Sequence, residues 1–496
     1  MGIFHHSIAF PSTSSYRRAW RILKALFVIA VAAGLAGCVT TDTLSQRVSD
    51  SPRNPWKPPA ALSPRPAEQP APKIPAELQS SKQGLTLENL VDIGLTNNPQ
   101  TRLAWNAARS AAAALGSAQS SYFPRIEATA NAARQKAAFA GGKFIVDQTT
   151  LNPLATLSFL LFDFGGRKAA TDSARETLQA ANWTQNAAIQ NVILLVEKSY
   201  YQYLAAKALL KAQEASLKGA QANHDAARER QRAGVATVAD VLQAKTALSS
   251  TELNLVTAQG LVQTLHGVLA NALGLFANAS FEIADEPAEA IPVEEFSKQV
   301  DACIKDAETR RPDLAASQAL VTKAQAQIRK AQSDRLPNFT LNSNYGRVYY
   351  QGQAISNEQF TIAVLLDIPI FSGFQRDYQL LQARADAETA GAQMEKLEQD
   401  IALQVWTSFY GVKTSEQKIR TAQDLLASAE KSYEVALGRY KEGVGSILDL
   451  LTAQSVLENG RGQAIQARTE WFLSLVQFTH DTGTLGAPGT ASNPGF

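Results

Sequence analysis

The side chains best suited to chemistry are few, and none of them completes a reactive unit. Asp240 and Asp449 stand 209 residues apart in matching phrases, Thr237-x-x-Asp240 and Ser446-x-x-Asp449, each shortly after a glycine (Gly234, Gly443). A hydroxyl residue followed three positions later by a carboxylate suits a capping-box helix start, in which each side chain bonds the other's backbone amide. Cys38 offers a thiol for acylation, and Cys303 is then a lone cysteine with no partner for a disulfide. The five histidines include His266 and His480, which have no Cys or His at ligand spacing, and His224, which continues an apolar stripe. Gly165-Gly166 follows an alternating segment and opens a helix, yet lacks the Lys-Ser/Thr of a phosphate loop. No nucleophile–base pair or metal cluster is visible, so neither an enzyme nor a cofactor site is expected.

The elements that position these residues begin with a segment to be removed. Arg17, Arg18, Arg21 and Lys24 precede an apolar run from Ala25 to Gly37, and Leu35-Ala36-Gly37-Cys38 resembles a lipobox. Residues 1–37 therefore read as a lipoprotein export signal, too short to span a bilayer comfortably, with Cys38 as the lipidated first residue of the mature chain. Nine prolines within residues 51–75 make 38–83 an extended tether. The whole chain has 496 residues, 82 of them alanine, and a net charge of +2; loss of four signal-peptide cations brings the mature charge to −2. No basic face for nucleic acid is implied.

Residues 84–290 and 291–482 read as one unit written twice. Asn97-Asn98-Pro99-Gln100 corresponds to Arg310-Arg311-Pro312-Asp313 at an offset of 213, and Phe162 and Arg167 correspond to Phe371 and Arg376 at 209. At that second offset Arg230–Leu248 and Arg439–Leu457 share seven of nineteen residues. Each copy is expected to run helix, strand, strand, long helix, second helix. The strands fall at about 124–162 and 337–371 and the longest helices at about 167–233 and 376–442, with Pro99 and Pro312 suited to first helical turns. Residues 483–496, rich in Gly, Pro and Ser, read as a disordered tail.

The long helices carry a heptad. Ile189, Val196, Tyr203, Leu210 and Leu217 recur every seven residues, as do Val405, Val412, Ile419, Leu426, Tyr433 and Tyr440. Small residues such as Ser199, Ala206, Ser408 and Ser415 follow three positions later, the pattern of closely interlocked, left-handed coils. Phe360, Ile362, Val364, Leu366, Ile368 and Ile370 alternate with mostly smaller or polar residues, and Leu157, Phe159 and Leu161 do likewise. Strands of about ten residues with one apolar face suit a membrane barrel, but four cannot close one, so several chains would have to contribute.

The lipobox, the duplicated order, and the phrases Leu161-Phe162-Asp163-Phe164-Gly165-Gly166-Arg167 and Gly443-Val444-Gly445-Ser446-Ile447-Leu448-Asp449 resemble the TolC-like outer-membrane efflux family over about residues 84–482. The resemblance implies a mostly α-helical protein with a membrane β-barrel portion: a homotrimer whose twelve strands close one barrel, continued by an α-helical coiled-coil tunnel across the periplasm. It implies a lipid-anchored place in the bacterial outer membrane. It also implies two partners, a periplasmic adaptor (membrane fusion protein) and an inner-membrane efflux or secretion transporter. Asp449 and Asp240 would then line the pore constriction, where three symmetry-related carboxylates repel one another and draw cations. Tyr440 would bond Asp240 across neighbouring coils and close the mouth, and the turns at Gly234, Val235, Gly443, Val444 and Gly445 would contact the adaptor. Gly445 stands where some relatives carry a basic latch residue, which speaks against an ionic latch. Two other readings stay open: a structural coiled-coil lipoprotein without a pore, which leaves the strands unexplained, and a periplasmic adaptor, which needs no duplicated strand pairs.

Overall fold

The computed structural model describes residues 84–139, 141, 143–284, 299–351 and 356–486. The chain divides into two units, residues 1–71 and 72–496, and every described residue belongs to the second. Cys38, the signal and the proline tether lie outside the described residues.

The first half contains α1 (Leu87–Asn97), α2 (Pro99–Gln119), β1 (Arg125–Phe139), β2 (Phe144–Phe162), α3 (Gly166–Arg232) and α4 (Val238–Ala272). The second contains α5 (Val300–Arg310), α6 (Pro312–Ser333), β3 (Asn338–Tyr350), β4 (Ser356–Asp367), α7 (Gln375–Lys441) and α8 (Ile447–Asp481) in the same order. The lengths match closely: α3 and α7 have 67 residues each, α4 and α8 have 35 each. At 1.5 Å per residue the longest helices extend about 100 Å. Pro99 and Pro312 occupy first-turn positions, where the missing amide costs no helical bond.

The heptad resolves unequally. Among the small residues of α3, Ser199, Ala206, Ala220 and Ala227 are buried, whereas Ile189, Tyr203, Leu210 and Leu217 are half-buried. Val196 is the large residue of that stripe that is buried, and in α7 the large residues Val405, Val412, Ile419 and Tyr440 are buried beside Ser408, Ser415, Ala422 and Ala429. Gly460 of α8 faces the same seam, where a Cβ would make an ordinary 3.5 Å contact with Ala429 Cβ of α7. Each half has its own apolar core where the short first helix meets the long ones. Leu90, Val91 and Ile93 pack with Val192, Ile193, Val196 and Leu269, and Cys303, Ala307 and Leu314 pack with Ile401, Val405 and Phe409.

The four strands form one antiparallel sheet in the order β1-β2-β3-β4. Helices α2, α3, α6 and α7 neighbour one another in that same order, so each continues the strand it is joined to. Two expectations are corrected. Strand β4 ends at Asp367, short of the alternation that continues to Ile370, because its partner β3 begins opposite it at Asn338, and Pro337 and Pro369 beyond that pair have no amides to give the ladder. The disordered tail does not begin at 483: Gly483 ends α8 with a positive φ of 70°, which turns Leu485 into the first core, where it is 8% exposed.

One half-buried acid has a pH consequence. Burial raises the Glu197 carboxyl on α3 from 4.5 to about 7. The fold therefore disfavours its ionised form, and stability falls as pH rises from the unfolded value through the folded one. Glu197→Gln removes that loss, raising stability near pH 8 by up to about 3 kcal/mol, with a much smaller gain near pH 5. Denaturant melts at the two pH values check this; equal gains at both would refute it.

Candidate functional site

Strand register sorts the sheet into two unlike faces, because directly opposed residues share a face. Val364 pairs with Leu341 and Leu341 with Phe159, while Ile362 pairs with Ser343 and Ser343 with Leu157. Ile126 lies opposite Leu157 and Ala128 opposite Ala155. This face is apolar across all four strands, and Phe360, Ile362 and Val364 on it are 67%, 63% and 61% exposed. The other face is the more polar one, carrying Thr361, Asn342, Thr340, Thr156, Ser158 and Thr129 together with Ala363, Leu154, Leu160 and Leu365. Toward the hairpin ends the chemistry changes, with ion pairs Arg134–Asp147 at 2.8 Å and Arg347–Glu358. Strands of 12 to 19 residues therefore outrun an apolar band and end in charge.

At the opposite ends of the long helices, two similar turns join α3 to α4 and α7 to α8. Gly234 and Gly443 have φ of 76° and 79°, the left-handed conformation that glycine adopts without steric cost. Val235 N donates to Arg230 O and Gly234 N to Gln231 O, while Val444 N donates to Arg439 O and Gly443 N to Tyr440 O. Both turns are Schellman closures. Thr237 and Ser446 then cap the next helices, and the reciprocal bonds run from Thr237 N to Asp240 Oδ2 at 2.8 Å and from Ser446 N to Asp449 Oδ2 at 3.4 Å. The longer bond leaves Asp449, which is exposed, less committed to capping than the half-buried Asp240. Val235, Val238, Val444 and Leu448 stand 60–69% exposed around these turns.

The two turns share one core, where Ala227, Ala244, Tyr440, Ile447 and Leu450 pack together. Tyr440 is 4% exposed and its hydroxyl meets no hydrogen-bond partner among the described residues, so the expected bond to Asp240 is not made inside one protomer. Asp240 instead serves its own helix cap. Burial pushes the Tyr440 phenol up, Arg230 pulls against that, and Asp240 adds to it. Arg230 is a residue the sequence did not single out: its Nη1 donates to Tyr440 O at 2.7 Å and its guanidinium lies 4.9 Å from the Tyr440 ring centre. It ties α3 to α7 across the two halves. A second tie, also missed, is the buried Asn223–Gln454 bond of 2.7 Å between α3 and α8. Its only sequence signal is a polar residue midway between Ala220 and Ala227 on the close seam.

A family model described as outer membrane efflux protein matches residues 90–275 and 303–484, most of both halves. The chain belongs to the outer membrane efflux protein family. It is 27% identical over 375 residues to protein CyaE of Bordetella pertussis, covering 75% of this chain and 78% of that one. It is 25% identical over 419 residues to the probable efflux pump outer membrane protein TtgC of Pseudomonas putida, covering 82% and 86%. Among solved structures, the outer-membrane channel OprN has a TM-score of 0.73 at 20% identity, over 81% of this chain and 90% of that one. VceC of Vibrio cholerae has a TM-score of 0.70 at 20% identity, over 80% and 96%. These likenesses show the fold. The family is one of channels and not of enzymes, and this efflux protein is an outer-membrane exit channel. No helix among the described residues is long and apolar enough to cross a membrane, and no group of ligating side chains there could hold a metal.

Proposed function

We propose that this efflux protein acts as a homotrimer whose three sheets close a twelve-stranded barrel in the outer membrane, passively conducting cargo delivered from below. The observation that carries the reading is the four-stranded sheet, apolar on one exposed face, polar on the other and unpaired at β1 and β4. In a bilayer every backbone amide and carbonyl must be satisfied, so open edges have to pair with another chain. Three copies supply twelve strands, above the practical minimum of about eight for a barrel. The helices α3, α4, α7 and α8 would continue the barrel as a periplasmic coiled-coil tunnel. Exposed apolar side chains along them, such as Leu253, Val256 and Leu403, suit helix–helix contacts between protomers. Acylated Cys38 would add a lipid anchor.

In this arrangement the turns at Gly234, Val235, Gly443, Val444 and Gly445 form the periplasmic mouth and meet a periplasmic adaptor, which links the channel to an inner-membrane efflux or secretion transporter. Their exposed valines offer apolar contact area. Asp449, exposed and weakly engaged in its cap, faces the axis as a ring of three carboxylates, with Asp240 beside it and Tyr440 packed behind. The name of the Pseudomonas putida relative, a probable efflux pump outer membrane protein, supports an efflux role; the transporter selects the cargo.

Two measurements test the reading. Extracted from membranes, the protein should migrate as a heat-modifiable trimer and give stepwise conductance in planar bilayers. Asp449→Asn should then lower cation selectivity and raise single-channel conductance. A monomeric chain without conductance would overturn the channel, whereas wild-type selectivity and conductance in the variant would overturn only the ring.

A further inference from the structure

Where the sheet passes into the helices, a cavity of about 750 Å³ is lined by α2, α3, α6, α7 and the ends of β2 and β3. Arg167, Arg376 and Lys330 line it, against two carboxylates, Asp163 and Asp334. Their pairing is uneven. Lys330 Nζ donates to both Asp334 carboxylate oxygens at 2.5 and 2.6 Å. Arg167 spends its Nη atoms on the backbone carbonyls of Leu160 and Leu161, at 2.7 and 3.1 Å, while its Nε is buried without a hydrogen-bond partner among the described residues, its nearest carboxylate, Asp163, standing 3.8 Å away. Asp163 also closes the first turn of α3, accepting from Arg167 N at 2.5 Å.

Arg376 is the residue matching Arg167 in the second half, and its surroundings lack that compensation. The position matching Asp163 is Ser372. Arg376 Nη1 is buried with no hydrogen-bond partner among the described residues, and the neighbouring Asp377 is turned away into a 2.7 Å pair with Arg335. A buried, unsatisfied guanidinium nitrogen is costly, and this cavity holds two, Arg167 Nε with Asp163 3.8 Å away and Arg376 Nη1 with Ser372 where its copy of that carboxylate would stand. We propose that this cavity binds a small oxyanion, a phosphate or carboxylate group, with Arg376 as its principal ligand. Ser121, Gln375 and Gln379 on the same wall offer further donors.

Leu160 and Asn338, also in the wall, lie on the sheet's polar face. Under the barrel reading the site therefore opens to the lumen, as one of three in the trimer, and an anionic group on passing cargo would meet it. That placement rests on the barrel; the anion site does not. Calorimetric titration of the detergent-extracted full chain with inorganic phosphate is expected to show saturable binding. Arg376→Gln should weaken it about tenfold or more, and Arg376→Lys by less, since Lys keeps the charge but not the fork. Asp334→Asn frees Lys330 and removes a repelling carboxylate, so it should tighten binding. Phenyl phosphate binding more tightly than phosphate would make the occupant a cargo-borne group; equal or weaker binding would make it the free ion. Absence of saturable binding in the wild type, unchanged affinity in Arg376→Gln, or weaker binding in Asp334→Asn would each overturn the site. Heat-modifiable migration of every variant separates these outcomes from misfolding, and conductance in bilayers reports on the channel independently.

Discussion

Under the proposed trimeric barrel, Val364→Arg is expected to abolish the assembled trimer, whereas Ala363→Arg, one residue away, is expected to leave it intact and narrow the conductance. The two positions differ only in the face they present. Val364 pairs with Leu341 on the apolar face, and Ala363 pairs with Asn342 on the polar one. A lipid-facing Arg near the bilayer midplane costs about 2–4 kcal/mol, so three copies cost about 6–12 kcal/mol per barrel, comparable with the whole stability of an ordinary domain. An Arg in a water-filled lumen keeps its hydration and adds only bulk and charge to the pore. Heat-modifiable migration reads assembly and planar bilayers read conductance. If Ala363→Arg is the variant that fails to assemble, the apolar face is the inner one and the barrel reading is inverted.

The features that could be read from sequence are those with short-range causes. Thr237-x-x-Asp240 and Ser446-x-x-Asp449 state their capping boxes outright, since donor and acceptor sit within one helical turn. Pro99 and Pro312 mark helix starts, and the seven-residue spacing of small side chains marks the close seam. The strand pairs were legible as alternation at about 124–162 and 337–371, but the length of each strand was not, because charged pairs such as Arg134–Asp147 extend the ladder past the apolar residues. The site chemistry was partly legible. Asp240 and Asp449 carried a local signal. Arg230 beside Tyr440, Asn223 against Gln454, and Arg376 in the junction cavity did not, since each depends on a neighbour in space supplied by the other half of the chain. The duplication recovers one of these in hindsight: replacement of Asp163 by Ser372 marks where the two copies ceased to be chemically equivalent.

Gly274→Ala is expected to destabilise the protein by about 2–5 kcal/mol, and Gly234→Ala by about 1–2 kcal/mol, although both glycines close long helices in the same left-handed conformation. Their φ angles are 72° and 76°, so the backbone penalty for a side chain is shared. The surroundings differ. Around Gly234 a Cβ meets open space, whereas at Gly274 it would lie 2.6 Å from Asn97 C and 2.7 Å from both Asn97 O and Asn98 N. Those are backbone atoms and cannot swing aside as a side chain can. The same contact is held from the other side by Asn98 Nδ2, which donates to Ala272 O at 2.9 Å in a buried setting, so relief of the clash would strain that bond. The end of α4 is thereby seated on the joint between α1 and α2, beside the first core of Leu269, Leu273 and Ile93. Denaturant melts of the two variants measure the difference. Gly274→Ala should also lower the yield of trimer in membranes while Gly234→Ala preserves it, because the first glycine holds a core together and the second shapes an exposed turn. Equal destabilisation would mean that conformational preference alone fixes both positions, and that the α1–α2 joint can yield without cost.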